Sequence, residues 1–442
     1  MSQCALEASG AKRIVGPPPW RAWWAVAIFC AAGILSFTDR QILSLLVDPL
    51  RAELRISDVQ VSLLQGLAFS IIYSLAGLPL GRMADTLPRR AVMICGVVIW
   101  TLATVGCGLA NSFSGLFAAR LVVGVGEAAL APAAMAIIAD IFPLHRRGTA
   151  IGLFLMGMMV GQGIALGIGG TLLALAQSGA LPQVPLLSAF SPWRQVLLLL
   201  GPPGALVALL LLTVPEPARR EPGKEAMSGN FSLRETLETF IQRRRVVLPL
   251  LGAMALMSAG DFSLLNWTPT VLSRIFHLGP GAIASFFGGA VIITGLIGTV
   301  AGGLVSDRLA RSGGLPMRAK VAAVGAALAL PGALIWTATS SVWVLLVFCV
   351  WSTFSSATAT IGITAMQEAV PNAVRGVSIA AISFGNMFVG LGLGTLLTAL
   401  LTDVVFVDSL AVAKSISIVA AVAGFLAVML YVMSYREMER SL

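Results

Sequence analysis

The chain has 442 residues, of which 57% are hydrophobic and only 11% are charged, and its mean hydropathy is +0.91. Soluble globular proteins carry roughly 25% charged residues, so this composition excludes an ordinary soluble enzyme and also a disordered chain. The net charge of +9 comes from basic residues in short loops between apolar runs. Because they form no continuous basic face, we expect no nucleic-acid partner.

Twelve apolar runs follow one another along the chain, and each is long enough for a membrane-spanning helix of about 20 residues. They occupy residues 22–47, 58–81, 91–110, 113–142, 148–177, 194–214, 246–275, 281–306, 317–338, 341–369, 375–402 and 409–435. The pattern predicts an all-α membrane protein with 12 transmembrane helices in two six-helix bundles, residues 22–214 and 246–435. Residues 1–21 and 436–442 are predicted tails. In the polar linker 215–245, Ser232 and Glu235 predict a capping box for a short amphipathic helix.

The loop charges predict the orientation in the membrane. Of the 29 Lys and Arg residues, 22 lie on the side that carries both termini and the linker, 4 lie on the other side, and 3 fall within spans. Positively charged loops remain in the cytoplasm, so we expect both termini to be cytoplasmic. If the chain is bacterial, the expected location is the inner membrane.

The two halves of the chain repeat each other weakly. One constant offset in the numbering relates Gly81 to Gly303, Asp85 to Asp307 and Asp39 to Asp261. A slightly larger offset relates Asp140 to Glu368. A duplication of six spans is typical of secondary transporters, whose substrate sites lie between the repeats near the middle of the membrane.

The loop after the second run carries a motif of known transporters. It reads Gly81-Arg82-Met83-Ala84-Asp85-Thr86-Leu87-Pro88-Arg89-Arg90. This segment resembles the GxLaDrxGrr motif of the major facilitator superfamily, with departures at Thr86 and Pro88. A second copy after the eighth run keeps Gly303, Asp307, Arg308 and Arg311.

Other segments resemble the spinster-like transporters within that superfamily. The matching segments are Phe37-Thr38-Asp39-Arg40-Gln41, Arg120 through Ala128, Ile138 through Phe142, Trp193-Arg194, and Trp267 through His277. The resemblance implies that spans 1, 4, 7 and 10 line a central cavity. It also implies that two cytoplasmic charge clusters latch the outward-open state: Asp85 with Arg89 and Asp140, and Asp307 with Arg311 and Glu368. The residues with this implied gating role are Gly81, Asp85, Arg89, Arg90, Asp140, Asp307, Arg308, Arg311 and Glu368.

Four ionisable residues fall deep inside spans 1 and 4, where each charge costs roughly 2.5–3.5 kcal/mol. Asp39 and Glu127 lie at similar depths, so we hypothesise that they carry protons. Arg40 and Arg120 would bind an anionic head group, which suits a guanidinium fork. The alternative is a structural salt-bridge cluster that locks the two helices together. Asp261 in span 7 is a third candidate for proton coupling, although it also suits cation binding or a hydrogen bond to a neighbouring helix.

The predicted cavity wall of the second half is mainly apolar and aromatic, which suits an amphipathic substrate. The candidate substrate contacts are Phe37, Asn266, Trp267 and Ser355, in addition to the two arginines. The alternative is that these side chains face lipid or pack against other helices.

The sequence therefore predicts a proton-coupled secondary active transporter for an amphipathic anion, of the sphingolipid or lysophospholipid type. The alternative is a proton-coupled symporter of a small organic anion such as a sugar acid. A membrane enzyme or a receptor is a different class, but the chain has no nucleophile–base constellation, no phosphate-binding GxxxxGK[ST] motif and no HExxH motif. We expect no enzyme activity, no cofactor, no metal and a monomer; the expected partners are the substrate, protons and the bilayer.

Overall fold

A computed structural model describes residues 18–180, 187–216, 238, 240–371 and 374–440. Twelve helices in these ranges are long and apolar enough to cross a membrane. They are, as α1 to α12, Pro19–Ser44, Asp58–Ala84, Arg89–Leu109, Phe113–Ile141, Arg146–Gln177, Pro192–Leu211, Arg244–Arg274, Pro280–Arg311, Gly314–Thr337, Ser341–Ala369, Arg375–Val405 and Ser409–Arg440. The predicted all-α, twelve-helix fold is confirmed, whereas the amphipathic helix predicted for the linker lies outside the described residues.

The helices alternate in direction, so their ends define two sides of the molecule. We call the side that carries Pro19 and Arg440 the terminal side, and the side that carries Ser44 and Arg274 the distal side. A short helix, Val47–Leu54, connects α1 to α2 on the distal side. Large side chains such as Trp100 in α3 are fully buried within the bundles, whereas the outward surface is covered with exposed apolar side chains. In a twelve-helix membrane protein that surface faces lipid.

Helix α4 is interrupted directly after Glu127. The α-helical hydrogen bonding covers Phe113–Glu127, breaks at two residues, and resumes over Leu130–Ile141. Pro132 has no N–H to donate to the carbonyl group four residues earlier, which explains a break at this point. The break places Glu127 at the end of a helical segment in the middle of the span.

Helices α2 and α11 contain π-helical turns where they meet across the two bundles. The π-helical segments are Leu63–Leu67 in α2 and Asn386–Gly394 in α11. The two backbones approach so closely that a Cβ atom on Gly66 would lie 2.4 Å from the carbonyl oxygen of Leu391. π-turns inside α-helices are frequent at functional sites, and these two lie at a contact between the bundles.

The glycine-rich helix α5 packs on both bundles. A Cβ atom on Gly161 would lie 2.9 Å from the Cα atom of Ile34 in α1. A Cβ atom on Gly163 would lie 2.3 Å from Ile292 and 2.5 Å from the carbonyl oxygen of Gly288, both in α8. Small residues let membrane helices approach closely, so the glycines of α5 permit the close contact between the bundles that is seen here.

Gly163→Ala is expected to weaken the α5–α8 contact, because a methyl group cannot be accommodated unless the two helices separate. Overpacking of this kind costs typically about 1–3 kcal/mol, so the unfolding temperature in detergent should fall by several degrees. Gly167→Ala is the matched control, since no described atom beyond the adjoining turns of its own helix lies within 4 Å of a Cβ placed there. Equal unfolding temperatures for the two variants would contradict the close contact.

Candidate functional site

The first bundle holds a buried ion pair between α1 and α4. Nε of Arg40 donates a hydrogen bond of 2.7 Å to Oε2 of Glu127, and the Ser36 hydroxyl donates one of 2.6 Å to the same oxygen. The Glu127 side chain is fully buried and that of Arg40 is 9% exposed. Among the described residues, Oε1 of Glu127 has no hydrogen-bond partner. One carboxylate oxygen is therefore bound twice, while the other is available for a proton.

Aromatic rings surround the guanidinium group of Arg40. Its central carbon lies 4.9 Å from the ring centroid of Phe37, 4.4 Å from that of Phe69 and 4.9 Å from that of Tyr73. Cation–π contacts of this kind stabilise a charge that has left water. The sequence predicted Phe37 as a substrate contact, and the structure places it against the predicted anion-binding arginine.

Asp39 and Arg120 lie in the interior of the first bundle. Arg120 donates hydrogen bonds to the carbonyl oxygens of Asp39 and Leu64, so it ties α4 to the backbones of α1 and α2. Within the described part of the chain, Oδ1 of Asp39 and one terminal nitrogen of Arg120 lack hydrogen-bond partners. Both side chains are almost fully buried. In this conformation Arg120 therefore bonds to protein backbone rather than lining an exposed cavity wall.

The second bundle repeats part of this arrangement, and the described neighbours of its buried carboxyl include no basic residue. Asp261 in α7 lies beside Ser355 and Trp351 of α10. The offset that relates Asp140 to Glu368 also relates Glu127 to Ser355, so a hydroxyl group occupies the position of the first bundle's carboxylate. The structure thus brings Asp261 and Ser355 together, although the sequence assigned them to different roles.

Asn266 and Trp267 take part in helix contacts. Asn266 accepts a hydrogen bond of 3.2 Å from Gln41 across the bundles and donates one of 3.2 Å to the hydroxyl of Thr395. The Trp267 indole donates to the carbonyl oxygen of Thr395 and is fully buried. Both predicted substrate contacts therefore join α7 to its neighbours in this conformation.

A charged cluster joins the two bundles on the distal side, and we call it the distal latch. Arg274 at the end of α7 donates hydrogen bonds of 2.7 Å to Asp48 and of 2.7 and 2.8 Å to Asp58, both in the first bundle. Asp58 is fully buried and also binds Arg51 at 3.2 Å. The backbone N–H of Val59 donates a hydrogen bond of 2.8 Å to Asp403 of α11. The described cross-bundle hydrogen bonds lie on this side, so the distal side is closed.

Two clusters on the terminal side hold the motif residues within each bundle. In the first bundle Arg89 forms an ion pair with Asp140 and donates to the carbonyl oxygen of Ala136, while Arg90 donates to carbonyl groups at the end of α6. Gly81 lies in α2, and no described atom beyond the adjoining turns of its own helix lies within 4 Å of a Cβ placed there. The predicted role of the Asp85 side chain lies outside the described part of the chain.

In the second bundle the central cation is Arg318 of α9. It donates a hydrogen bond of 2.9 Å to each of Asp307 and Glu368. From the sequence we expected Arg311 to be the partner of these two carboxylates. The offset that relates Asp140 to Glu368 carries Arg89 to Met317, directly before Arg318. That signal identifies Arg318 as the counterpart of Arg89. Arg308 and Arg311 belong to the last turn of α8.

Sequence reasoning missed several residues that build these sites. Ser36, Phe69 and Tyr73 surround the Arg40–Glu127 pair, and Asp48 and Asp58 complete the distal latch. The signal for Asp58 was a carboxylate at the first position of the predicted run 58–81. Over the described ranges, no group of three or more His, Cys, Asp or Glu side chains is placed to hold a metal ion.

Residues 29–395 match the sequence model described as the Major Facilitator Superfamily. Similar curated proteins include an MFS-type efflux pump of Mycolicibacterium smegmatis, 27% identical over 66% of this chain and 64% of its own, and protein spinster homolog 3 of Danio rerio, 29% identical over 65% and 58%. A probable L-galactonate transporter of Escherichia coli is 23% identical over 67% of this chain and 64% of its own. The chain thus matches less than two thirds of the length of these relatives.

The fold also resembles solved transporter structures. A bacterial homolog of the human lysosomal transporter Spinster, in an inward-facing and unoccupied conformation, superposes with a TM-score of 0.82. The match covers 95% of this chain and 97% of that chain at 23% sequence identity. At this identity the likeness establishes the shared fold.

Proposed function

Since the chain belongs to the Major Facilitator Superfamily, we propose that it moves amphipathic anions across the membrane by alternating access coupled to proton movement. The chain is a multi-pass membrane transporter of this superfamily and is similar to spinster proteins. We propose the proton coupling, the substrate class and a monomeric state for this chain.

The proposed proton coupling rests on the unequal environments of the two carboxylate oxygens of Glu127. Oε2 is bound by Arg40 and Ser36, whereas Oε1 is buried without a partner among the described residues. A buried, unsatisfied carboxylate oxygen costs free energy unless it acquires a proton or a hydrogen-bond donor. Protonation would release Arg40 from its ion pair, and the freed guanidinium would bind the anionic group of a substrate.

The closed distal side supports alternating access. Most basic residues of the loops lie on the terminal side, so we take that side to be cytoplasmic. The distal latch then closes the path between the bundles to the opposite side of the membrane. We therefore assign the conformation as inward-facing. Proton entry and substrate entry would then occur from the cytoplasmic side until the latch opens.

The amphipathic nature of the substrate rests on the contrast between the two bundles. The first supplies Arg40 with its ring of aromatic side chains, and the second supplies Asp261 beside Ser355 and the indole of Trp351. The second candidate is a small organic anion such as a sugar acid. It is favoured by the similarity to the probable L-galactonate transporter.

Proteoliposomes with an internal pH dye test the proposal under an imposed proton gradient. A lysophospholipid or a phosphorylated sphingoid base should move protons in the wild type. Asp39→Asn should reduce this movement about a hundredfold or more, because the variant lacks the proposed proton carrier. A hexuronate in place of the lipid tests the second candidate. Proton movement with neither substrate, despite measured binding of one, would refute proton coupling.

A further inference from the structure

Three turns on the distal side hold a residue other than glycine in the left-handed backbone conformation, and we call them the strained turns. The φ angles are 53° at Arg55, 53° at His277 and 51° at Val407, and the described part of the chain has no other such residue. In this conformation the Cβ atom crowds the following carbonyl oxygen, which disfavours it roughly 5- to 30-fold. A β-branched residue such as Val407 is the least suited to it. Each of these turns therefore stores strain.

Elsewhere the described chain passes through this conformation at glycines. Gly179, which follows α5, has a φ of 69°, and Gly314, at the start of α9, has a φ of 61°. Glycine has no Cβ atom, so it adopts these angles without the steric cost. On the terminal side the left-handed position of the described chain is therefore unstrained. The strain is confined to the distal side, where hydrogen bonds join the two bundles.

Two of the strained turns flank the ion pairs of the distal latch. Arg55 lies in the connection just before α2, whose first residue is Asp58, and His277 lies just after Arg274, the last residue of α7. Arg274 donates hydrogen bonds of 2.7 and 2.8 Å to Asp58. The two strained residues therefore fix the chain directions from which the two charges of the latch meet.

The third strained turn follows a second link between the bundles. The carboxylate of Asp403, in the last turn of α11, accepts a hydrogen bond of 2.8 Å from the backbone N–H of Val59, in the first turn of α2. A carboxylate is unfavourable at the C-terminal end of its own helix and favourable at the N-terminal end of another. Asp403 is therefore placed to hold α2. The turn at Val407 closes the end of α11, with the N–H of Asp408 donating to the carbonyl oxygen of Thr402 at 3.3 Å.

We propose that the three strained turns place the groups that close the distal side, and that their backbone relaxes when the distal side opens. In the closed state the cross-bundle hydrogen bonds of Arg274 and Asp403 offset the strain, which persists only where the surrounding structure holds it. Once these bonds break, relief of the strain favours the open state. The strain thus keeps the closed state from becoming so stable that the cycle stops. This inference rests on the alternating access proposed above, but not on the substrate or the proton carrier.

Glycine substitutions in an Arg274→Gln background test this release of strain, because that background is expected to favour the open state. Val407→Gly removes the Cβ atom that causes the strain, so it should shift the equilibrium back toward the closed state roughly 5- to 30-fold. Pulsed electron–electron distances between spin labels at Ala180 and Thr339 measure the two populations after the native cysteines are replaced. Both positions are exposed on the distal side, one in each bundle, and neither lies in a strained turn.

Val405→Gly is the matched control for Val407→Gly. Val405 is also exposed, and its backbone is not left-handed, so glycine there adds flexibility without removing strain. The distance in this control should stay long. If the strain were equal in the two states, Val407→Gly would raise the unfolding temperature and leave the distances unchanged. That result, or an equal shift in Val405→Gly, would overturn the inference but not the alternating access. A short distance in every variant, Arg274→Gln included, would contradict the alternating access and this inference with it.

Discussion

Arg274→Gln is expected to shift the conformational equilibrium toward an open distal side by about two orders of magnitude. Arg274 is the cation through which the second bundle binds Asp48 and Asp58 of the first. Removing one partner of a buried ion pair costs roughly 3–5 kcal/mol when the remaining charge is uncompensated, and because Arg51 still binds Asp58 we expect the lower end of this range. When the distal side opens, water reaches Asp58 and removes this penalty. A difference of about 3 kcal/mol between the two states corresponds to a factor of roughly 100.

Pulsed electron–electron distance measurements would detect the shift. Spin labels at Ala180 and Leu410, both exposed on the distal side, report the separation of the bundles after the native cysteines are replaced. The wild type should show mainly the short distance, and Arg274→Gln mainly a longer one. Substrate transport should fall in the variant, since a latch that does not close interrupts the cycle.

Arg51→Gln is the matched control for the latch. Arg51 also binds Asp58, at 3.2 Å, but both residues belong to the first bundle. Arg51→Gln removes one ion pair of the Asp58 carboxylate but leaves Arg274 of the second bundle bound to it. The short distance should therefore persist in Arg51→Gln. If Arg51→Gln lengthened the distance as much as Arg274→Gln, the effect would come from Asp58 itself and not from the link between the bundles.

The sequence predicted the twelve helices and their pairing in the repeat because membrane spans follow from length and hydropathy alone. It also placed Asp39 and Glu127 at one depth, and the structure pairs Glu127 with Arg40, the residue that follows Asp39. The partner of an intramembrane charge is limited to the few polar groups at the same level. Depth therefore brings the intramembrane charges to one level, but it does not determine which arginine pairs with which carboxylate.

The loop charges were harder to pair, because several arginines at similar depth compete for each carboxylate. Asp307 was assigned to Arg311, in the next turn of the same helix, but it binds Arg318 from the next helix. The distal latch was missed for a related reason: Arg274 lies in the opposite half of the chain from Asp48 and Asp58, and only the closed conformation brings them together. Periodicity identifies helix faces, but it does not indicate which of two alternating states is populated.

Glu127→Gln is expected to uncouple transport from protons without abolishing substrate binding. A glutamine side chain can still accept the hydrogen bonds from Arg40 and Ser36, so the local packing is retained, but it cannot exchange a proton. Exchange of labelled for unlabelled substrate across proteoliposomes should continue. Uptake driven by a proton gradient should fall about a hundredfold or more, the lower end of the range typical of losing a group that transfers protons.

Ser36→Ala is the matched control for Glu127→Gln. It removes one of the two hydrogen bonds to Oε2 and keeps the titratable carboxyl group and the ion pair with Arg40. Gradient-driven uptake should therefore survive in Ser36→Ala. Full gradient-driven uptake in Glu127→Gln would return the Arg40–Glu127 pair to a purely structural role, in which it holds α1 against α4. Such a role would also predict a lower unfolding temperature for both variants, which distinguishes loss of packing from loss of coupling.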